Sequence, residues 1–265
     1  MSDGAAAAGV LLTVAYDGAP YAGFVEQRAQ PTVAGELRRA LHHLDPTIGR
    51  LRVASRTDAG VHATDQRVAF DTALQIPPKG WALGAARYLP PSIAILSAAE
   101  VPVRFEPRFE ARAKTYRYLV HGSQTPNPLL AHRAWRTVDL DLSASLEILR
   151  TELRALHGTH RFAAFRSTRD KRDHIERTIT HTAAERSSEW PDVVCVEISG
   201  DGFLHHMVRI AVGTVVDVAR GRLAPGAVTR ALASGDRRDA GITAPPDGLY
   251  LRRVELANEG SARWP

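Results

Sequence analysis

Apolar positions lay out most of the chain before any single residue is considered. Residues 10–16 form a nearly unbroken apolar run that predicts a strand, broken by Asp17-Gly18. Val33, Leu37, Ala40, Leu41 and Leu44 then fall at helical spacing, with Thr32 as N-cap and Pro46 closing the segment. Residues 51–54 predict a second strand, which delivers Asp58 into the loop behind it. Residues 68–70 and 93–101 predict two more. Pro77-Pro78 and Pro90-Pro91 read as loop punctuation.

The strand–helix–strand pattern ends around residues 103–108. Beyond it, residues 115–120 alternate as a strand and residues 122–128 form a loop. Ser143 reads as the cap of a helix carrying Leu146, Leu149, Leu153 and Leu156. Residues 175–184 and 193–199 predict a strand pair. Residues 203–219 predict a long helix ended by Gly221, and residues 227–233 a short one ended by Gly235. Residues 249–256 predict the last strand. Strands and helices occur in both halves and no repeat of solenoid length is visible. The expectation is an α+β chain of two similar-sized parts, residues 1–105 and 106–265.

Composition narrows the function classes. The 265 residues are 44% hydrophobic and 24% charged, an ordinary globular balance. Cys195 is the only cysteine, so neither an intrachain disulfide nor a four-cysteine zinc site can form. The N-terminus lacks the basic start and apolar stretch of a secretory signal, and no stretch reaches the length of a membrane span. A cytoplasmic protein is expected, with a disordered tip over residues 1–8. The formal net charge is +5. Lysine occurs only at Lys79, Lys114 and Lys171, so 31 of the 34 basic residues are arginine. Arginine suits phosphate, because its planar fork donates two parallel bonds. Compositional drift in a GC-rich genome gives the same bias. Nucleic acid is the leading partner class.

Walker A, GxGxxG, HExxH and GxSxG patterns are absent. The pairs His42-His43 and His205-His206 come without a third ligand in sequence, so no metal is expected. On the long helix, Phe203, Met207, Ile210, Ala211, Thr214 and Val218 make one stripe, and Val208, Val212 and Val216 make another on the opposite side. Such a helix is buried. Arg209 beside the second stripe is drawn partly inside, where it either pairs with a carboxylate such as Asp58 or snorkels to water along its own stem. Residues 157–177 carry Arg161, Arg166, Arg169, Lys171, Arg172 and Arg177 with Phe162 and Phe165 between them. This pattern fits a nucleic-acid surface, and equally a solvated mixed-charge loop over two core phenylalanines. Tyr116 and Tyr118 share one face of a strand, as core aromatics or as a surface for a base. Asp58-Ala59-Gly60 suits an ordinary turn, and it also suits a reactive carboxylate held in place.

Several stretches in register add a resemblance. Arg56-Thr57-Asp58-Ala59-Gly60-Val61-His62-Ala63 resembles the signature of the TruA family of tRNA pseudouridine synthases. Tyr16-Asp17-Gly18 with Tyr21 and Gly23 resembles its opening motif. Leu89-Pro90, Ile93, Phe105, Arg108, Ala111, Lys114, Tyr116 and Tyr118 follow its central pattern. Phe203, the run His205 to Arg209 and Gly213 resemble its C-terminal helix, and the stretch from Thr243 to Leu251 its end. The likeness covers about residues 10–254. Departures are Phe24, Val25, Glu26, Ser55, Arg87 and Arg161, and they bear on RNA contacts, hence on which uridines are modified.

The resemblance implies two α/β halves whose sheets meet across a basic cleft (the pseudouridine synthase fold), a homodimer, and no cofactor or metal. It implies conversion of uridine to pseudouridine in the anticodon stem-loop of tRNA, at positions 38–40. The other readings are a synthase of another RNA and an RNA-binding protein without catalysis. Asp58 matches the catalytic aspartate. Uracil is a poor leaving group, so a positioned carboxylate beside the sugar is required, and the target base must leave its stack. By the same resemblance Arg56 fills the vacated space or grips phosphate, Tyr116 stacks on the flipped base, Arg209 pairs with Asp58 and Leu249 forms an apolar pocket wall.

Overall fold

The structure, a computed structural model, describes residues 8–264. Two compact units emerge: Met1–Arg112 together with Leu251–Pro265, and Ala113–Tyr250. The mixed α/β character expected from the sequence is present in both. The expected boundary at residue 105 falls inside the first unit, which also takes back the chain after residue 250. Apart from Ala8, which belongs to the first strand, the expected disordered tip lies outside the described residues. Among the described residues no helix is long and apolar enough to cross a membrane.

In the first unit, the apolar run becomes β1 (Ala8–Tyr16). Thr32 caps α1 (Val33–His42) by accepting from the Gly35 N–H at 3.2 Å. β2 is only Arg52–Val53, and β3 runs over His62–Thr72. The sequence reading saw three of the eleven residues of β3. Polar side chains from His62 to Arg67 hide the rest, although His62, Gln66 and Arg67 are buried. Pro77-Pro78 opens a helix, α2 (Pro78–Ala86), rather than a loop. Proline is favoured at the first helical position, where its missing N–H would be unbonded anyway. Trp81 of α2 is fully buried, edge-on to Phe70 of β3 at 5.1 Å. β4 (Ile93–Val101) and the one-turn α3 (Pro107–Glu110) follow. Within this sheet β1 pairs antiparallel with β3 on one side and β4 on the other.

In the second unit, β5 (Ala111–His121) pairs antiparallel with β9 (Val193–Gly200), β9 with β8 (Glu176–Arg186), and β8 with β7 (Gly158–Arg161); β6 (Trp135–Arg136) runs parallel to β5. α4 (Leu142–Arg154) is capped by Asp141, not Ser143. The Asp141 carboxylate accepts from the Ser143 N–H at 2.8 Å. α4 and α6 (Ala227–Ser234) pack on α5 (Met207–Ala219), in which every residue but Arg209 and Ala219 is buried. The apolar stripes announced that burial. The helix starts four residues later than its pattern suggested, because His206 adopts φ +64, outside helical space.

The chain then forms β10 (Leu249–Leu256) and β11 (Ser261–Trp264). Residues of β10 from Leu251 onward lie beside β3. Thr64 Oγ1 donates to the Arg252 carbonyl at 3.0 Å, and the Val254 N–H donates to Asp65 at 3.0 Å. β11 pairs with β4. These pairings are the physical reason that residues 251–264 belong with the first unit.

Candidate active site

Asp58 stands in a turn closed by the Val61 N–H donating to the Asp58 carbonyl at 3.2 Å, with Gly60 at φ +77. The turn is held from several directions. Tyr16 Oη and Thr57 Oγ1 are 2.7 Å apart, and both residues are buried. Gln66, fully buried on β3, donates to the Ser55 carbonyl at 2.7 Å and accepts from the Ser55 N–H at 3.3 Å. The Phe24 N–H donates to the Thr57 carbonyl at 3.1 Å. Buried His62 accepts from the Gly18 N–H at 3.0 Å. A Cβ on Gly18 would sit 2.0 Å from the Val61 carbonyl oxygen, so that position tolerates only glycine. Asp58 itself is half-buried and Arg56 is exposed. A turn this fixed aims whatever side chain it carries. The turn chemistry read from Asp58-Ala59-Gly60 and the reactive-group reading are compatible, since the first builds the support for the second.

In the second unit, Tyr116 and Tyr118 do share a face of β5, and both are buried. Tyr118 is a core residue. Its hydroxyl donates to the Pro245 carbonyl at 2.7 Å, and burial, partly offset by the Arg209 charge, pushes its ionisation well above the ordinary range. The Tyr116 ring lies edge-on to Phe203 at 5.0 Å. Arg209 is half-buried, and its Nε donates to the Ala244 carbonyl at 2.7 Å. Leu249, 5% exposed, is the first residue of β10. A Cβ on the preceding Gly248 would meet the Tyr118 ring at 2.6 Å. The Tyr118 ring therefore packs against the Gly248 backbone, next to Leu249 in sequence, with its hydroxyl on Pro245.

The basic stretch resolves into two kinds of residue. Phe162 and Phe165 are fully buried against each other, rings 6.0 Å apart, and present no face to a base. Arg169 and Lys171 are exposed. Arg172 is not an open phosphate ligand, because its fork grips Asp170, with Nε at 2.9 and 3.1 Å from the two carboxylate oxygens. Asp170 also accepts from the His205 N–H at 2.8 Å, and the Ser167 N–H donates to the His205 carbonyl at 2.9 Å. The Arg172 guanidinium, followed by the backbone donors, holds the Asp170 carboxyl well below the usual carboxylate range despite its burial. This carboxylate fastens the loop of residues 166–172 to the His205-His206 turn that leads into α5.

Sequence reasoning missed Gln66 and Asp170 as builders of these sites. Tyr16 and His62 lie in stretches that carry the family resemblance, but nothing in the periodicity marks Gln66 as buried. Asp170 lies in the run of residues 157–177, which reads as a nucleic-acid surface or as a solvated mixed-charge loop over two core phenylalanines. Chemically, a carboxylate on a rigid turn can serve as nucleophile or base.

Comparison with known proteins follows the same lines. A family model described as tRNA pseudouridine synthase matches residues 153–255. The chain is 39% identical over 245 residues to tRNA pseudouridine synthase A of Acetivibrio thermocellus, spanning 92% of this chain and 98% of that protein. It is 37% identical over 254 residues to tRNA pseudouridine synthase A of Myxococcus xanthus, spanning 96% and 94%. Identity of this level, sustained through both units, means that the chain belongs to the tRNA pseudouridine synthase A family.

Proposed function

We propose that this chain isomerises uridine to pseudouridine in the anticodon stem-loop of tRNA, with Asp58 as the catalytic carboxylate. The observation that carries the reading is the fixed Asp58 turn, whose supports, Tyr16, Thr57, Gln66 and the Gly18 backbone, all fall within or beside the stretches that resemble the family. In the reaction the C1′–N1 bond breaks, the uracil turns, and C5 bonds to C1′. The proton on C5 then leaves to solvent and N1 gains one, so the product is an isomer. Asp58 supplies the negative charge that attacks or deprotonates beside the sugar.

The other residues act on the RNA around that step. Arg56, exposed on the same loop, faces phosphate or the space left by the flipped base. Tyr116 stacks on the extruded uracil, Leu249 walls its pocket, and Arg209 pairs with the Asp58 carboxylate and aims it. The enzyme works in the cytoplasm as a homodimer across which the RNA lies. Sedimentation at micromolar concentration should then give about twice the 28.9 kDa chain mass, and a monomer throughout would reject the dimer.

Tritium release from 5-tritiated uridine in tRNA tests the assignment directly. Asp58→Asn keeps the shape of the side chain but cannot act as nucleophile or base. Release should fall below detection while tRNA affinity, carried mainly by phosphate contacts, changes little. Turnover above about one-hundredth of wild type, a loss of only some 2.7 kcal/mol in barrier terms, would show that Asp58 is not the reacting group.

A further inference from the structure

We propose that Asp217 is a positioning residue for Arg209, acting through the segment of residues 241–245. The inference rests on the reading that Arg209 serves the reaction. Asp217 lies near the far end of α5, eight residues or about 12 Å along the axis from Arg209. The 241–245 segment is fastened to α5 at both ends. The Gly241 N–H donates to Thr214 Oγ1 at 2.9 Å, and the Ile242 N–H donates to Asp217 Oδ2 at 3.1 Å. The Ala244 N–H donates to the Arg209 carbonyl at 3.0 Å, and the Ala244 carbonyl accepts from Arg209 Nε at 2.7 Å. Next in line, the Pro245 carbonyl takes the Tyr118 hydroxyl.

There is no slack between the segment and the helix. A Cβ on Gly213 would stand 1.9 Å from the Ile242 carbonyl oxygen, and one on Gly241 would stand 2.7 Å from Thr214 Cα and 2.8 Å from Asp217 Oδ2. Because Nε, Cζ and both terminal nitrogens are coplanar, the bond from Nε to Ala244 sets the plane of the whole guanidinium. Where Ala244 sits decides where Arg209 points, and Asp217 and Thr214 decide where Ala244 sits.

Asp217 is an expensive choice for a mere fastener. It is 4% exposed, and its Oδ1 meets no hydrogen-bond donor among the described residues; Arg222 Nη1 stands 3.9 Å away. A buried carboxylate with half its acceptors unfilled is costly where a neutral side chain would cap Ile242 as well. A neutral amide should therefore replace it with little harm to the geometry, which makes the proposal separable from a charge effect.

The test measures kcat and KM for tRNA by tritium release, beside thermal melting, in a cycle of Asp217→Ala with Arg209→Lys. Lysine keeps the charge but has no Nε–H donor. Asp217→Ala should lower kcat about tenfold to a hundredfold, the scale expected for an ångström of misplacement, with KM nearly kept. Asp217→Asn should recover most of that loss. In the Arg209→Lys background, Asp217→Ala should cost less than about twofold more, since its route to the reaction is already cut. Wild-type kcat in Asp217→Ala, or a full multiplicative loss in the double variant, overturns the proposal. If Arg209→Lys alone keeps wild-type kcat, the role of Arg209 is what fails, and the proposal falls with it. Should Asp217→Ala not fold, the same cycle is run with Thr214→Val, which removes the neighbouring bond and keeps side-chain volume.

Discussion

Asp170 allows a worked prediction that joins stability to pH. Its side chain is 3% exposed and binds both the His205 N–H and the fork of Arg172, itself 40% exposed. In Asp170→Ala the His205 N–H loses its acceptor, at about 1–3 kcal/mol. The Arg172 pair contributes less, about 0.5–1 kcal/mol, because that guanidinium can turn to water. The total is about 1.5–4 kcal/mol. Asp170→Asn keeps an acceptor for His205 and loses the charge, so it should cost about 1–2 kcal/mol at pH 7. The carboxyl titrates below its ordinary value of 3.8 in the folded chain. A depressed folded value means that the charge stabilises the fold fully above the unfolded value and loses that effect as pH falls through the folded one. The gap between wild type and Asp170→Asn should therefore stay constant from about pH 8 to pH 5 and close progressively below about pH 4. Urea unfolding of both proteins across that range, with hydrogen exchange at the His205 amide as a local probe, measures it. A gap as wide at pH 3 as at pH 7 would refute the electrostatic account, as would no gap at any pH.

Other substitutions probe the Asp58 turn and the basic stretch of residues 166–172. Gly18→Ala drives a Cβ to 2.0 Å from a backbone oxygen of that turn and should lose at least about 3 kcal/mol of stability, most of the activity, or both. Gly49→Ala, where a Cβ meets nothing within 4 Å, is the control, and equal melting of the two variants would discredit the steric argument. Arg169→Ala should flatten the slope of log K for tRNA against log salt by about 0.9 for a lost phosphate contact. Arg172→Ala should act mainly on folding, and an Arg172 slope change equal to that of Arg169 would contradict the Asp170 grip.

Legibility followed the physics of each element. β4, β10 and α6 were readable because one buried face imposes its period on the side chains. β3 was not, since a strand that carries buried polar residues for a site gives up the alternation that reveals strands. α2 hid behind Pro77-Pro78, whose chemistry marks a loop and a helix start equally well. Asp58 was legible through its motif, while Gln66, which steadies Ser55 from β3, was not: a side chain that bonds across eleven residues leaves no local trace. The two phenylalanines near Arg166 read as core or as part of an RNA surface, and only burial separates those readings.

The return of residues 251–264 to the first unit fixes an order of events during synthesis. The ribosome delivers everything from residue 113 to residue 250 before the strands that flank β3 and β4 exist. Until then the nascent sheet around Asp58 has its outer strands bare, the state most exposed to wrong pairing with a neighbouring chain. The second unit is continuous in sequence and can close while the first still waits. A chain that stops short of β10 therefore has the Asp58 turn without the sheet that completes its support, and quality control meets it as a non-native product.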